Sequence, residues 1–276
     1  MTIRRPVMRY AGGKWKLAPW IISQFPTHQV YVEPFAGAAS VLMRKPRVYA
    51  EVYNDLSGEV VRVFRVLRDP AQAAELARRV YLTPYARDEF EASYEVDGVE
   101  DPIERARLTI FRAFAGHGNC SFVSLERSGF RSNVRRAGSL PVHDWANYPS
   151  AIAAFVERLR GVVIENRPAL DVIRQYDGQH TLHYVDPPYP HGTRNLERGN
   201  AYYAHEMTDD DHRALATVLR SVAGMVVISG YPCDLYDVEL YPDWTRVTRA
   251  AHADGARDRV EVLWLSPGCE RQMVML

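Results

Sequence analysis

The sequence predicts an α/β fold, a doubly wound and mostly parallel sheet interrupted by a helical insert. Three observations carry this. Strand-like apolar runs alternate with helical patterns at both ends of the chain, the order that builds a parallel sheet covered by helices. Between them, residues 71–115 read as helix without a strand. From Gly116 to about Ala146 the periodicity dissolves into Gly, Ser, Asn and Arg, the composition of a loop.

Taken in order, "QVYVEPF" (29–35) reads as a strand and "AASVLMRK" (38–45) as a helix. "RVYAEVYND" (47–55) is a second strand, and a helix follows from about Leu56 to Arg68. The middle helices are "AQAAELARRV", "PYARDEFEASY" and "DPIERARLTIFRAF". Alternation resumes with the helix "AIAAFVERLR", the strand "GVVIEN", the helix "PALDVIRQY" with Pro168 near its first turn, and the strand "TLHYVD". After a polar loop (190–206), "TDDDHRALATVLRSV" opens on a Thr208 cap with acids in its first turn. "GMVVISGY" is a buried strand, and "WTRVTRA" with "RVEVLWLSP" predicts a terminal antiparallel pair. Residues 1–75 and 150–276 then form one discontinuous domain, and 76–149 the insert.

Composition bounds the function. The 276 residues are 47% hydrophobic and 25% charged, as in a soluble globular protein with a sizeable core. The formal net charge is zero, so total charge announces no polyanionic partner, but binding needs only a local basic face. Residues 101–140 supply one, with seven arginines against three acids. Cys120, Cys233 and Cys269 are too sparse for a disulfide framework or a zinc site, which predicts a reducing cytoplasm and no metal. The basic N-terminus lacks the apolar core of a signal peptide, and no apolar run approaches the roughly 20 residues of a membrane span.

Four motifs carry chemistry. In "YVEPFAGAAS" a strand ends at Glu33 and turns through Phe35, Ala36 and Gly37 into a helix, so that small residues and free N–H groups face a ligand. Asp55 ends the next strand, 22 residues after Glu33, where an acid can hold the hydroxyls of a ribose; its blander role is to cap the following helix. In "RYAGGKWKLAPWI" two glycines precede Lys14. No Ser or Thr follows the lysine and no strand precedes it, so this is no P-loop, but it can bring an ammonium to a carboxylate. In "LHYVDPPYPHG" a strand leaves through Asp186-Pro187-Pro188-Tyr189. Prolines cannot continue a central strand, so this is either a plain exit or a rigid corner. Such a corner holds a carboxylate and a carbonyl toward an exocyclic amine, and the Tyr189 ring against a planar base.

In this order, YAGGK, VEPFAGA, ND and DPPY resemble the Dam-type (D12 class, alpha-group) DNA adenine N6-methyltransferases, most closely those of phages and prophages. The resemblance spans nearly the whole chain. It implies a Rossmann-like methyltransferase domain that uses S-adenosylmethionine to methylate N6 of a flipped adenine in double-stranded DNA. It also implies a cytoplasmic setting in a bacterial host, with no required protein partner. By this likeness Tyr10, Gly12, Lys14, Glu33, Phe35, Gly37, Asp55 and Asp186 bind the cofactor, with Lys14 near its methionine carboxylate. Asp186, Pro187, Pro188 and Tyr189 hold the adenine. The insert reads DNA, and Arg127, Arg131, Arg135 and Arg136 are its expected contacts, whereas Arg105 and Arg112 fit solvated helix faces. The stretch "RAFAGHGNCSFVSLERSGFRSNV" departs from the family pattern, so base-reading residues do not carry over.

Three alternatives compete. Methylation of cytosine carbon-5 needs a cysteine nucleophile, but Cys233 follows a strand and would leave the Asp-Pro-Pro-Tyr corner idle, so it reads as structural. The N4 amine of cytosine suits the same corner, although serine more often stands first there. A DNA-binding relic without catalysis is the third, and the complete set of Lys14, Asp55 and Asp186 argues against it.

Overall fold

The computed structural model describes residues 3–117, 127–132, 140–193, 205–252 and 258–273. The chain enters through the helix α1 (Ala18–Ser23), the strand β1 (Val30–Glu33), α2 (Ser40–Arg44), β2 (Ala50–Asn54) and α3 (Gly58–Arg68). The middle holds α4 (Pro70–Leu82), α5 (Arg87–Ala92), α6 (Pro102–Ala115) and α7 (Pro141–Ala146). Alternation returns with α8 (Ile152–Leu159), β3 (Val162–Glu165), α9 (Ala169–Tyr176), β4 (Thr181–Val185), α10 (Asp209–Ser221) and β5 (Met225–Gly230). A π-helical turn (Leu235–Leu240), β6 (Thr245–His252), β7 (Asp258–Leu265) and α11 (Pro267–Met273) complete it.

The strands form one sheet in the order β3-β2-β1-β4-β5-β7-β6. The first five are parallel, and β7 pairs antiparallel with both β5 and β6. The chain winds from β1 outward to β3, then restarts with β4 on the other side of β1. That reversal is a topological switch point, where a crevice opens outside the carboxyl ends of the strands. Glu33, Asp55 and Asp186 all stand at that edge, because each ends or directly follows a parallel strand.

Side-chain alternation sorts the core into two faces. Tyr31, Tyr53, Leu182, Tyr184, Val227 and Leu263 point to a large cluster shared with α2, α3, α4, α6 and α8. Ile228, Val262 and Trp264 point to a smaller one under α10 and the π-helical turn. The middle helices are therefore continuous with the sheet's main core, and the expected boundary at 75/76 falls inside α4 beside buried Leu76. Asp-Pro starts two of them: Asp69 accepts the N–H groups of Ala71 and Gln72, and Asp101 that of Ile103, each with proline in the first turn.

Two elements correct the sequence reading. The stretch 116–146 contains α7, read above as loop. Six residues hold as helix there because Pro141 occupies the first turn and buried Trp145 packs edge-on against Phe111 at 4.7 Å, its indole N–H reaching the Thr83 carbonyl. The π-helical turn after Cys233 has no propensity signature; buried Tyr236 fixes it by bonding His212 of α10 at 3.0 Å.

Helix α2 is short and is held from below by buried charges. Arg158 of α8 donates to the Leu42 carbonyl at 2.6 Å and to Glu51 at 2.9 Å, and Lys45 binds the same carboxylate at 2.8 Å. Replacing Glu51 with alanine leaves two buried cations without that acceptor. Glu51→Ala should lower unfolding free energy by about 3–5 kcal/mol in urea titrations. A loss below about 1 kcal/mol would mean that water or other groups already compensate these cations.

Candidate active site

The crevice at the switch point holds a cavity of about 320 Å³. All eight residues expected to bind a cofactor line it: Tyr10, Gly12 and Lys14 from the N-terminal loop, Glu33, Phe35 and Gly37 from the turn after β1, then Asp55 and Asp186. Pro187 and Pro188 line it as well.

The turn after β1 is over-determined. Gly37 has φ +48°, and a Cβ there would lie 2.6 Å from the Tyr10 ring. Its N–H donates to Asp55 at 2.9 Å, and its carbonyl accepts the Tyr53 hydroxyl at 2.9 Å. Only glycine fits both the left-handed backbone and the aromatic ring against it. Glu33 is buried beneath this turn, accepting the Leu42 N–H of α2 at 3.0 Å and the Tyr31 hydroxyl at 2.9 Å. Burial pushes its carboxyl up to about 8, against the downward pull of those two bonds.

Asp55 ties the entry of α3 to the turn after β1. One oxygen accepts the Ser57 N–H at the start of α3 (2.8 Å) and the other binds Gly37 across the crevice. Burial raises its pKa, opposed by those N–H groups. Each carboxylate oxygen keeps a further lone pair for a ligand hydroxyl. Asn54 and Asn166, which the sequence reading passed over, hold the strand tips in place. The Asn54 amide donates to the Pro34 and Arg167 carbonyls at 2.9 and 3.0 Å, and Asn166 donates to the Asp55 carbonyl at 2.8 Å.

Lys14 and Asp186 meet. The Lys14 ammonium lies 3.0 Å from Asp186 Oδ1, donates to the Gly12 carbonyl at 2.9 Å, and sits 4.8 Å from the centre of the Tyr189 ring. Gly12, at φ +71°, gives the loop its hairpin bend toward the lysine. Burial alone would lower the ammonium's pKa, but the Asp186 and Glu261 carboxylates outweigh it and raise it above the ordinary lysine value. Ser229 at the end of β5 donates to the same Asp186 oxygen at 2.7 Å. Tyr189 does not line the cavity; its ring stands beside it, against Tyr231 edge-on at 4.7 Å. Its hydroxyl donates to Glu261 of β7 at 3.1 Å. Ser229, Tyr231 and Glu261 were missed because they come from strands that only the fold brings beside β4. The antiparallel strand signal in "RVEVLWLSP" with an acid at an inward position was the available hint for Glu261.

The insert's arginines divide. Arg105 pairs with Glu59 at 2.6 Å, and Arg112 lies over the Tyr94 ring, so both serve the fold. Arg127 is exposed, with its guanidinium 5.4 Å from the Tyr94 ring centre, and Arg131 is half-buried, bonded to the Phe114 carbonyl. Arg135 and Arg136 lie outside the described residues. Cys233 is half-buried and burial raises its thiol pKa, which disfavours the thiolate a nucleophile needs.

The raised Glu33 carboxyl predicts a pH dependence. The native state binds this proton more tightly than the unfolded chain, so stability is greatest below about pH 4.5 for this group and is lost as pH rises toward about 8. Comparing wild type with Glu33→Gln, the wild type should lose up to about 1.4 kcal/mol per pH unit relative to the variant across that window. A pH-independent difference would show that Glu33 ionises normally.

Comparison with known proteins fits this geometry. Residues 10–250 match the family described as D12 class N6 adenine-specific DNA methyltransferase. The chain is 23% identical over 227 residues to the DNA adenine methylase of Escherichia coli (strain K12), covering 79% of this chain and 76% of that protein. It is 22% identical over 261 residues to the DNA adenine methylase of Salmonella typhi, covering 90% and 87%. With a match over most of its length, the chain belongs to the D12 class N6 adenine-specific DNA methyltransferase family.

Proposed function

We propose that this chain transfers a methyl group from S-adenosylmethionine to N6 of an adenine turned out of double-stranded DNA. The observation that carries this is the Lys14–Asp186 contact, which joins a cofactor-shaped crevice to the Asp-Pro-Pro-Tyr corner. The crevice suits the cofactor: its volume is that of a small-molecule site, and Gly37 leaves the turn bare of a side chain. Asp55 takes the ribose hydroxyls, Tyr10 and Phe35 offer aromatic faces, and Glu33 offers a carboxyl to a cationic amine. Bound there, S-adenosylmethionine supplies an electrophilic methyl on a sulfonium.

The chain's own residues then position and polarise. Asp186 accepts an N–H of the target amine, which concentrates the lone pair on nitrogen and stabilises the positive charge that develops there. Ser229 and Lys14 fix the carboxylate's orientation, so it needs no reorganisation during reaction. Tyr189 presents its ring to the base, and the two prolines hold acid and ring in register. Turning the base out costs about a few kcal/mol of stacking, which phosphate contacts by Arg127, Arg131, Arg135 and Arg136 offset. The stretch 76–149 acts on this reading as the target-recognition part, and the enzyme works in a bacterial cytoplasm, where its substrate lies.

Incubation with unmethylated duplex and labelled cofactor should yield N6-methyladenine; 4-methylcytosine alone, or DNA retention without label, would overturn the reading. Asp186→Ala should cut kcat roughly 10²–10³-fold. Its cofactor affinity should stay within about tenfold, because the ribose and aromatic contacts remain; loss of cofactor binding would reassign Asp186 to that site alone. Arg135→Ala/Arg136→Ala should flatten the slope of log K against log salt by up to about two. An unchanged slope removes both from the interface.

A further inference from the structure

Glu261 has no part in the motifs, yet it is buried at an inward position of β7, between Val260 and Val262. A carboxylate there costs free energy unless it is bonded, and an apolar residue would fill the position at no such cost. It accepts the Tyr189 hydroxyl at 3.1 Å. Register explains how it arrives. β7 runs antiparallel to β5 with Val262 opposite Gly230, so its first residues enter the sheet at the edge where Asp186 and Tyr231 emerge. Tyr231 stands edge-on to the Tyr189 ring at 4.7 Å, and the Lys14 ammonium lies 4.8 Å from that ring's centre. Glu261 thus anchors the far end of a ring already bounded by an aromatic edge and a cation.

We propose that Glu261 is a positioning residue for the target base: by holding the Tyr189 hydroxyl it fixes the position of the ring on which the base stacks. This rests on the reading of Tyr189 as the base platform. A tyrosine pivots about two side-chain bonds, and the Pro-Pro corner restrains only its backbone. The hydroxyl bond restrains the swing about the first of these, and the edge-on Tyr231 ring limits rotation about the second, before the base enters, so the benefit falls on the chemical step and not on cofactor binding.

The test is a double-mutant cycle on methylation of duplex DNA. Glu261→Ala and Tyr189→Phe should each lower kcat roughly tenfold, and the double variant also roughly tenfold, not the hundredfold of independent defects. Glu261→Gln, which keeps a carbonyl acceptor, should recover kcat to within about threefold of wild type. Cofactor affinity should change by less than about threefold in all of them. An additive cycle, or a Tyr189→Phe variant with wild-type kcat, overturns the proposal, and the second outcome decides even where Glu261→Ala does not fold. A wild type that forms no N6-methyladenine overturns the methyltransferase reading instead, whereas an active wild type with an additive cycle sinks Glu261 alone.

Discussion

The contact between Lys14 and Asp186 is the constraint on which the site depends. It ties a loop before the first strand to the tip of the fourth, with side chains only 6% and 18% exposed. A buried ion pair is a poor source of net stability, because desolvation consumes most of its attraction. Its value is in position. Lys14 reaches Asp186 only if the Gly12–Gly13 bend packs on Tyr10, and Tyr10 packs there only because Gly37 has no side chain. Asp186 receives the ammonium only if β4 stands beside β1, which their pairing from Val30↔Thr181 enforces. Moving either strand by one residue would turn its tip to the other face and separate the pair.

The rest of the crevice is built from the same kind of cross-tie. Asn54 spends both ends of its amide on neighbouring strand exits, donating to Pro34 and Arg167 and accepting from the Arg167 N–H. Asp55 binds the N–H of Gly37, so the first and second strand tips share a bond before any ligand arrives. These contacts leave few soft torsions in the walls, which is the physical meaning of a preorganised site. The buried trio of Glu51, Lys45 and Arg158 extends this downward by fixing α2, whose Leu42 N–H holds Glu33.

Much of this was legible in the sequence because it lies at strand ends. A parallel strand followed by a small-residue turn, an acid ending the next strand, and an acid before two prolines announce themselves locally, and all eight expected cofactor residues line one cavity. The glycine-glycine-lysine loop was legible only as an ammonium seeking a carboxylate, and the fold supplied which one. Ser229, Tyr231 and Glu261 were hidden because their meaning comes from pairing across the sheet, where β5 and β7 bring residues 43 to 72 positions away to Asp186 and Tyr189. Helix α7 was hidden for another reason: six residues carry no periodic signal, and Trp145 becomes an anchor only once α6 offers Phe111. Asp69 and Asp101 show the converse, since their caps are written in two adjacent letters.

Charge at the strand tips gives the site its chemical bias. Glu33, Asp55 and Asp186 face the cavity, Glu261 stands behind Tyr189, and Lys14 is the cation set among them. Acids outnumbering the base in a buried space leave a deficit of positive charge, and Glu33 is held toward its protonated form chiefly by burial, with a smaller push from the neighbouring Asp186. A cationic ligand answers the same deficit without a proton. On the proposed reading a sulfonium with a cationic amine is such a ligand, and the positive charge that passes to the adenine nitrogen stays within reach of Asp186. On that reading the excess of carboxylates favours a cationic ligand over a neutral or anionic one of the same shape.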